Sequence, residues 1–428
     1  MQRLCSPIAF LIVVLLAMGQ NIQAAPPRIA GVKAVPRSIM KFERDYIAEL
    51  GGDFGPLKEG QLLDLRLLSG KSYVDLELSG IQRGKESTTF RGLSFKPSKG
   101  QPTKLSPNTL YELRVRDGGD FDVVADPSAK AWVLLDRKKR DTIATERLRD
   151  TRNKLWETPT PEENRAALKS YEDLFDKIKA EFPMLTFVRQ ETEFFIVYTD
   201  MPAGQIAAYS ANLDSMYQQL CTLFNIPKDT NIWVGKCPVY CFVNKEHFMH
   251  FEAKLLDNPA TEGVQGLSHN SSDGKVMTTC YRGNSPVFFA VVLVHETAHG
   301  FLHRIRSSGR IPPWMNEGLS EWIAQVVVPQ SDHVQGRFSE ALPILRSQGS
   351  LGGDFLDDSG RIESWQYGAA AVLTQFLIST DANAYRAMIT AIKEGYSWQE
   401  ALDVTFGLKP EELAAAFGRF ISVPGLRP

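Results

Sequence analysis

The first third of the chain alternates short apolar runs with turn-forming residues. Segments such as QLLDLRLL, SYVDLELSGI, TTFRGLSF and AWVLLD have alternating or β-branched residues, and Gly, Ser, Asn and Pro separate them. This alternation with hairpin-like spacing is typical of antiparallel strands. Residues 41–136 are therefore predicted to form a small β-rich accessory domain, as a barrel or a sandwich. The sequence leaves open whether this domain is a spacer or binds cell-wall material, a partner or substrate.

The pattern changes at about residue 137. Residues 137–184 are highly charged with helical periodicity, broken at the sequence TPTP, and are predicted to be a helical connector with a solvated charged face. From residue 185 the runs FFIVYTD, CPVYCFVN and KVMTTCYR predict strands, and amphipathic helices follow. Residues 185–428 are therefore predicted to be one larger domain, and the fold class is α+β.

The first residues of the chain resemble a targeting segment. A basic residue, an apolar run of 11 residues from Ile8 to Met18, and small residues at Ala24 and Ala25 are typical of a cleaved signal peptide over residues 1–25. Residues 26–40 are Pro-rich and basic and are predicted to be a linker. We expect a secreted, periplasmic or cell-envelope protein with no transmembrane segment after cleavage; an uncleaved N-terminal anchor is the alternative.

Composition narrows the function classes. The chain has 428 residues, 43% of them apolar, and a formal net charge of −2. This balance is typical of an ordinary globular protein and argues against a broad nucleic-acid-binding surface. Four cysteines remain after signal cleavage, which permits two disulfides or four buried thiols. These cysteines are Cys221, Cys237, Cys241 and Cys280.

The segment SPVFFAVVLVHETAHG contains the strongest chemical signal. Ser285 and Pro286 are typical of a helix start, and an apolar run leads to the HExxH motif. On a helix, His295 and His299 project from one face and can bind one zinc ion. Glu296 is rotated by about 100° from His295, so it can lie beside the metal as a general base without binding it.

A third ligand is expected from the segment PPWMNEGLSEW. Glu317 follows His299 by 18 residues on a second predicted helix, a spacing that suits a helix, a turn and a returning helix. Glu321 shares a helix face with Glu317 and is positioned to accept a hydrogen bond from a ligating histidine. The metal prediction is one zinc ion per chain.

Other arrangements of metal ligands fit this sequence less well. A metzincin would need Gly and His where Leu302 and Ile305 stand. His303 lies about 12 Å along the helix axis from His295, too far to share one ion. The remaining histidines, His247, His250, His269 and His333, have no motif support.

HETAH followed by WMNEGLSEW resembles the gluzincin clan of zinc metallopeptidases, in particular the peptidase MA-like domains. The resemblance covers roughly residues 185–425. It implies that Glu317 is the third ligand, that Glu321 orients the first histidine and that Asn316 contacts the second. It also implies that Tyr367, at the start of an apolar helix, stabilises the oxyanion, and that the strand Lys275 to Arg282 is a sheet edge to which a peptide can add.

These residues predict a zinc metallopeptidase acting on peptide or protein substrates. The chain lacks a GxMEN-type segment, which favours an endopeptidase over an aminopeptidase. Two alternatives stay open. One is a catalytically silent, zinc-stabilised binding or structural protein of the cell envelope, and the other is a hydrolase of non-peptide amides.

Overall fold

A computed structural model describes residues 40–50, 57–85, 89–116, 118–126, 130–259, 262–358 and 360–428. The predicted signal peptide and all but the last residue of the predicted linker lie outside these ranges. The described chain contains two β-sheets and a larger set of helices, which confirms the α+β class. None of the described helices combines the length and the apolar character needed to cross a membrane.

The first sheet contains seven antiparallel strands. They are β1 (Leu62–Leu67), β2 (Ser72–Arg83), β3 (Thr89–Phe95), β4 (Lys104–Leu105), β5 (Leu110–Val115), β6 (Gly119–Asp126) and β7 (Ala131–Asp136). Their order is β2-β1-β5-β6-β7-β3-β4, and β2 also pairs with β3. This second pairing closes six strands into a barrel, with β4 added at β3. Alternating leucines such as Leu63, Leu65, Leu76 and Leu78 fill its interior.

Two helices join this barrel to the rest of the molecule. Helix α1 (Lys41–Leu50) precedes the barrel, so the first ten residues of the predicted β-rich segment are helical. Helix α2 (Arg137–Arg149) follows β7 and is capped by Asp136. Its charges are not all solvated as predicted, because Arg140 is only 3% exposed and pairs with a buried glutamate near the C-terminus.

The second sheet contains five strands: β8 (Val188–Glu191), β9 (Phe195–Thr199), β10 (Cys237–Phe242), β11 (Gly266–Asn270) and β12 (Val276–Tyr281). Their order is β11-β12-β10-β9-β8, with parallel pairs at the centre and antiparallel strands at both edges. The prediction of an edge strand over Lys275 to Arg282 is wrong. A tight turn in which the Ser271 N–H donates to the Lys275 carbonyl folds β11 back along β12, so β11 is the edge.

Helices cover both faces of this sheet. Helices α3 (Pro161–Glu181) and α5 (Lys245–Leu255) lie on one face, where Tyr171 and Phe175 of α3 pack with Tyr198 and Tyr240 of the sheet. The second half of the predicted connector is therefore part of this layer. Helices α4 (Ala203–Leu223) and α6 (Pro286–Arg304) pack together on the opposite face, and α6 contacts β11 and β12.

Six further helices complete the chain: α7 (Pro313–Val327), α8 (His333–Gln348), α9 (Gln366–Thr380), α10 (Ala382–Lys393), α11 (Trp398–Phe406) and α12 (Pro410–Phe420). Helix α7 packs between α6 and α9. Gly318 permits the approach to α9, because a Cβ there would lie 2.6 Å from the Ala370 carbonyl oxygen. The helix with the HExxH motif and the helix with Glu317 are thus neighbours.

The four cysteines of the described chain are free and buried, which matches the second of the two predicted alternatives. Cys241 and Cys280 lie opposite each other on β10 and β12, with their sulfur atoms 3.0 Å apart.

Candidate metal centre

Helix α6 positions the two histidines of the motif. Its start is fixed by Ser285, whose hydroxyl accepts a hydrogen bond from the Phe288 N–H, and by Pro286 at the first helical position. The run that follows is mostly buried, which anchors the helix against the sheet. One helical turn separates His295 and His299, and their Nε2 atoms are 3.1 Å apart.

Helix α7 supplies a carboxylate to the same point. It begins at Pro313 and directs Glu317 towards α6. The Oε2 atom of Glu317 lies 3.2 Å from Nε2 of His295 and 3.5 Å from Nε2 of His299. The three candidate donor atoms all lie within 4.8 Å of one another, so these residues could hold one metal ion.

The outer nitrogen of each histidine faces an oxygen atom. Glu321 Oε1 lies 3.6 Å from Nδ1 of His295, and Asn316 Oδ1 lies 3.2 Å from Nδ1 of His299. The Ser320 hydroxyl is also 3.1 Å from Nδ1 of His299. Oxygen acceptors at Nδ1 favour a proton there and a lone pair on Nε2. Two imidazole lone pairs and a carboxylate then converge, and this donor set fits a divalent cation such as zinc.

The charges of the site favour a positive charge at its centre. Burial alone would lower the pKa of His295, but the hydrogen bond to Glu317 and the charges of Glu321 and Glu296 raise it to about 9. Burial alone would raise the pKa of Glu317, but His299 and His295 hold it below its usual value. Carboxylates that stabilise a proton at this point also stabilise a metal cation.

Glu321 belongs to a buried polar network that sequence reasoning missed. The Glu321 side chain lies 3.5 Å from Nε2 of His333 and 3.3 Å from Nη1 of Arg337, both on α8. Burial would raise the pKa of Glu321, but the contact with His333 and the charges of His295 and Arg337 lower it to about 2. No motif marks His333, whereas Ser320 could have been found because it shares a helix face with Asn316.

Glu296 lies beside the donor cluster and is not a member of it. Its side chain is partly buried and packs against β11 at Gly266, where a Cβ would lie 2.8 Å from the Glu296 Cγ. A residue without a side chain at position 266 therefore lets α6 approach the edge strand at the level of Glu296.

Tyr367 lies at the second position of α9, near the cluster. The Arg337 guanidinium lies over its ring at 4.9 Å from the centroid. Burial, together with the negative charge of Glu317, raises the pKa of Tyr367 to about 12, so its hydroxyl stays protonated at neutral pH. Gly368 permits this placement, because a Cβ there would lie 2.4 Å from the Arg337 carbonyl carbon.

A cavity of about 1250 Å³ adjoins the cluster. His299, Asn316, Glu317 and Tyr367 form one part of its wall. The predicted connector forms another part, since Trp156 lies in the wall and its indole N–H donates to the His303 carbonyl at the end of α6. Sequence reasoning did not assign the connector to the site.

The other histidines do not join the donor cluster. His303 lines the cavity, with Nε2 3.3 Å from the Ser271 carbonyl oxygen. His269 and His250 pair with Glu252 and Glu181, away from the cluster. His247 lies 3.9 Å from an Asp200 oxygen.

Comparisons with known proteins add little to this geometry. No protein-family model and no curated protein matches the sequence. Among solved structures, the chain is similar to a functionally unknown conserved protein from Bacillus anthracis str. Ames, with 11% sequence identity, 91% of this chain and 72% of that chain covered, and a TM-score of 0.27. A similarity at this TM-score supports no argument about fold family or function.

Proposed function

We propose that this chain is a secreted or cell-envelope zinc metallopeptidase of the gluzincin type that hydrolyses peptide bonds. The observation that carries the proposal is the convergence of His295, His299 and Glu317, with an oxygen at the outer nitrogen of each imidazole. Zinc is the metal that suits two imidazoles, one carboxylate and an open position.

The proposed role of each group follows from its position in the site. When bound, zinc would supply a Lewis acid for the scissile carbonyl and lower the pKa of water at the site towards 7. Glu296 accepts a proton from the attacking water and returns it to the leaving nitrogen. The protonated Tyr367 hydroxyl donates a hydrogen bond to the carbonyl oxygen as negative charge develops there.

The test of this proposal is Glu296→Gln in the full chain. The variant should still bind one zinc per chain, because residue 296 is outside the donor cluster. Cleavage of a peptide library should fall by at least about 100-fold, the usual contribution of a general base. Metal analysis and mass-spectrometric detection of products measure the two effects, with the exposed Glu340→Gln on α8 as a matched control.

The same digest separates the alternatives. Hydrolysis that survives in the Glu296→Gln variant would refute the assigned base. Stoichiometric zinc in the unmodified chain without cleavage of any peptide would favour a silent binding or structural protein. Cleavage of simple amides but not of peptides would favour the non-peptide hydrolase.

A further inference from the structure

Four cations line the cavity beside the candidate metal centre. Arg152 and Lys154 come from the connector, Arg310 from the loop between α6 and α7, and Arg361 from the segment before α9. These three segments are far apart in the sequence, so only the fold brings the four cations to one wall. All four side chains are exposed to solvent.

None of these four cations forms an ion pair with any residue that the structure describes. Lys154 does lie over the Trp156 ring, at 5.3 Å from its centroid. Many other cations of the chain are paired; Arg137, for example, pairs with both Asp122 and Glu112. Unpaired guanidinium groups around one cavity are suited to bind carboxylates, which they can hold with two hydrogen bonds.

The acidic residues of the cavity wall do not offset the positive charge of the four cations. They are Glu317, whose charge faces the two histidines, and Asp358. A bound divalent ion would add further positive charge. Because a cleft with one sign of charge attracts ligands of the opposite sign, the cavity should favour an anionic ligand.

We infer that the cavity binds acidic peptides, with Arg152, Lys154, Arg310 and Arg361 as residues that determine specificity. The inference rests on the proposed peptidase function for the nature of the ligand, and it names the substrate class. The carboxylate can come from an Asp or Glu side chain or from the C-terminus of a peptide, and the experiment separates the two sources.

The experiment uses the zinc-loaded full chain with Glu296→Gln, so that peptides bind without turnover. Fluorescence anisotropy compares three peptides of one length: an acidic peptide with an amidated C-terminus, its Asn/Gln analogue with the same amide, and the analogue with a free C-terminal carboxylate. At least one carboxylate peptide should bind about tenfold or more tightly than the neutral analogue, the effect of one charge-assisted hydrogen bond. The preference should shrink with added salt.

Further variants show which cations produce the preference for carboxylate peptides. The substitutions Arg310→Gln and Arg361→Gln are added together to the Glu296→Gln chain. They should remove most of the preference for the carboxylate peptide and leave the affinity for the neutral analogue unchanged. The matched control is Arg346→Gln on α8, an exposed arginine outside the cavity wall, which should change neither value.

Equal affinity for all three peptides would overturn the inference, even if the unmodified chain hydrolyses peptides. Conversely, a preference for carboxylates that depends on Arg310 and Arg361 would support the inference even if the unmodified chain cleaved none of the peptides; only the proposed function would then fail.

Discussion

At the scale of single residues, the site depends on which nitrogen of each histidine bears its proton. In the proposed site, Glu321 lies 3.6 Å from Nδ1 of His295, and Asn316 lies 3.2 Å from Nδ1 of His299. The structure adds further contacts behind these residues, because His333 and the cation Arg337 both lie against the buried Glu321. A carboxylate that is 1% exposed would be costly without such partners.

Replacing Glu321 with Ala should therefore weaken the metal site without removing a ligand. The zinc affinity is expected to fall by about 10- to 100-fold, the usual effect of removing an outer partner of a ligating histidine. Competition with a chromophoric chelator measures it. Glu340→Ala, an exposed change on the neighbouring helix, is the control, and an unchanged zinc affinity in Glu321→Ala would contradict the assigned role.

Sequence patterns identify the candidate site residues on α6 and α7 but not their partners on other helices. The HExxH spacing and the NEGLSE block are local, so the faces of both helices can be read directly. His333 could not be found this way, since its contact with Glu321 exists only after α8 packs beside α7. The burial of Arg140 could not be predicted for a similar reason, because its partner Glu394 is 254 positions away along the chain.

At the scale of elements, glycines set the distances between the helices that surround the site. Gly318 lies against α9, and Gly368 lies against α8, in both cases closer than a Cβ permits. The strands and long helices were predictable from periodicity, but the β11 hairpin was not. Its short, polar sequence lacks the apolar alternation that marks a strand.

Replacing Gly368 with Ala should separate α9 from α8, since the new Cβ would lie 2.4 Å from backbone atoms of Arg337. We expect a loss of about 1–3 kcal/mol in the free energy of unfolding, as for other overpacked sites, and reduced peptide cleavage through the displaced Tyr367. Chemical denaturation measures the first effect.

Gly336→Ala is the matched control, because it lies in α8 with no atom within 4 Å of the added Cβ. That change should leave stability the same or raise it by about 1 kcal/mol, since Ala favours helix over Gly. If both variants had the same stability, the close approach at Gly368 would not limit the packing.

At the scale of the whole molecule, the N-terminal helices are tied to the C-terminal helices through one buried carboxylate. The side chain of Glu394 accepts hydrogen bonds from the Tyr46 hydroxyl at 2.7 Å, from Arg140 at 3.0 Å and from Arg306 at 2.6 Å. The neighbouring Lys393 donates to the Leu302 and Gly309 carbonyls, which fixes the end of α6. Helix α1, the connector and the end of α6 are thus joined by side chains that meet near residue 394.

This carboxylate should make stability depend on pH. Burial would raise the pKa of Glu394, but Arg140 and Arg306 hold it below the ordinary value of 4.5. Its ionised form therefore stabilises the fold above about pH 4.5, and that contribution is lost as the pH falls through the lower native value. At pH 7, Glu394→Gln should lower the free energy of unfolding by about 3–5 kcal/mol, because it removes the buried carboxylate that pairs with Arg140 and Arg306.

The difference between the Glu394→Gln variant and the unmodified chain should narrow as the pH is lowered below 4.5. Urea denaturation at a series of pH values measures it, with the exposed Glu411→Gln on α12 as the control. A difference that stays constant over this range would show that Glu394 does not act through its charge.

The most direct test of the central claim is X-ray absorption at the zinc edge on the full chain. We predict one zinc per chain, bound by nitrogen and oxygen at about 2.0–2.1 Å with the scattering of two imidazoles. Zinc well below one per chain, or sulfur ligands at about 2.3 Å, would contradict binding by His295, His299 and Glu317.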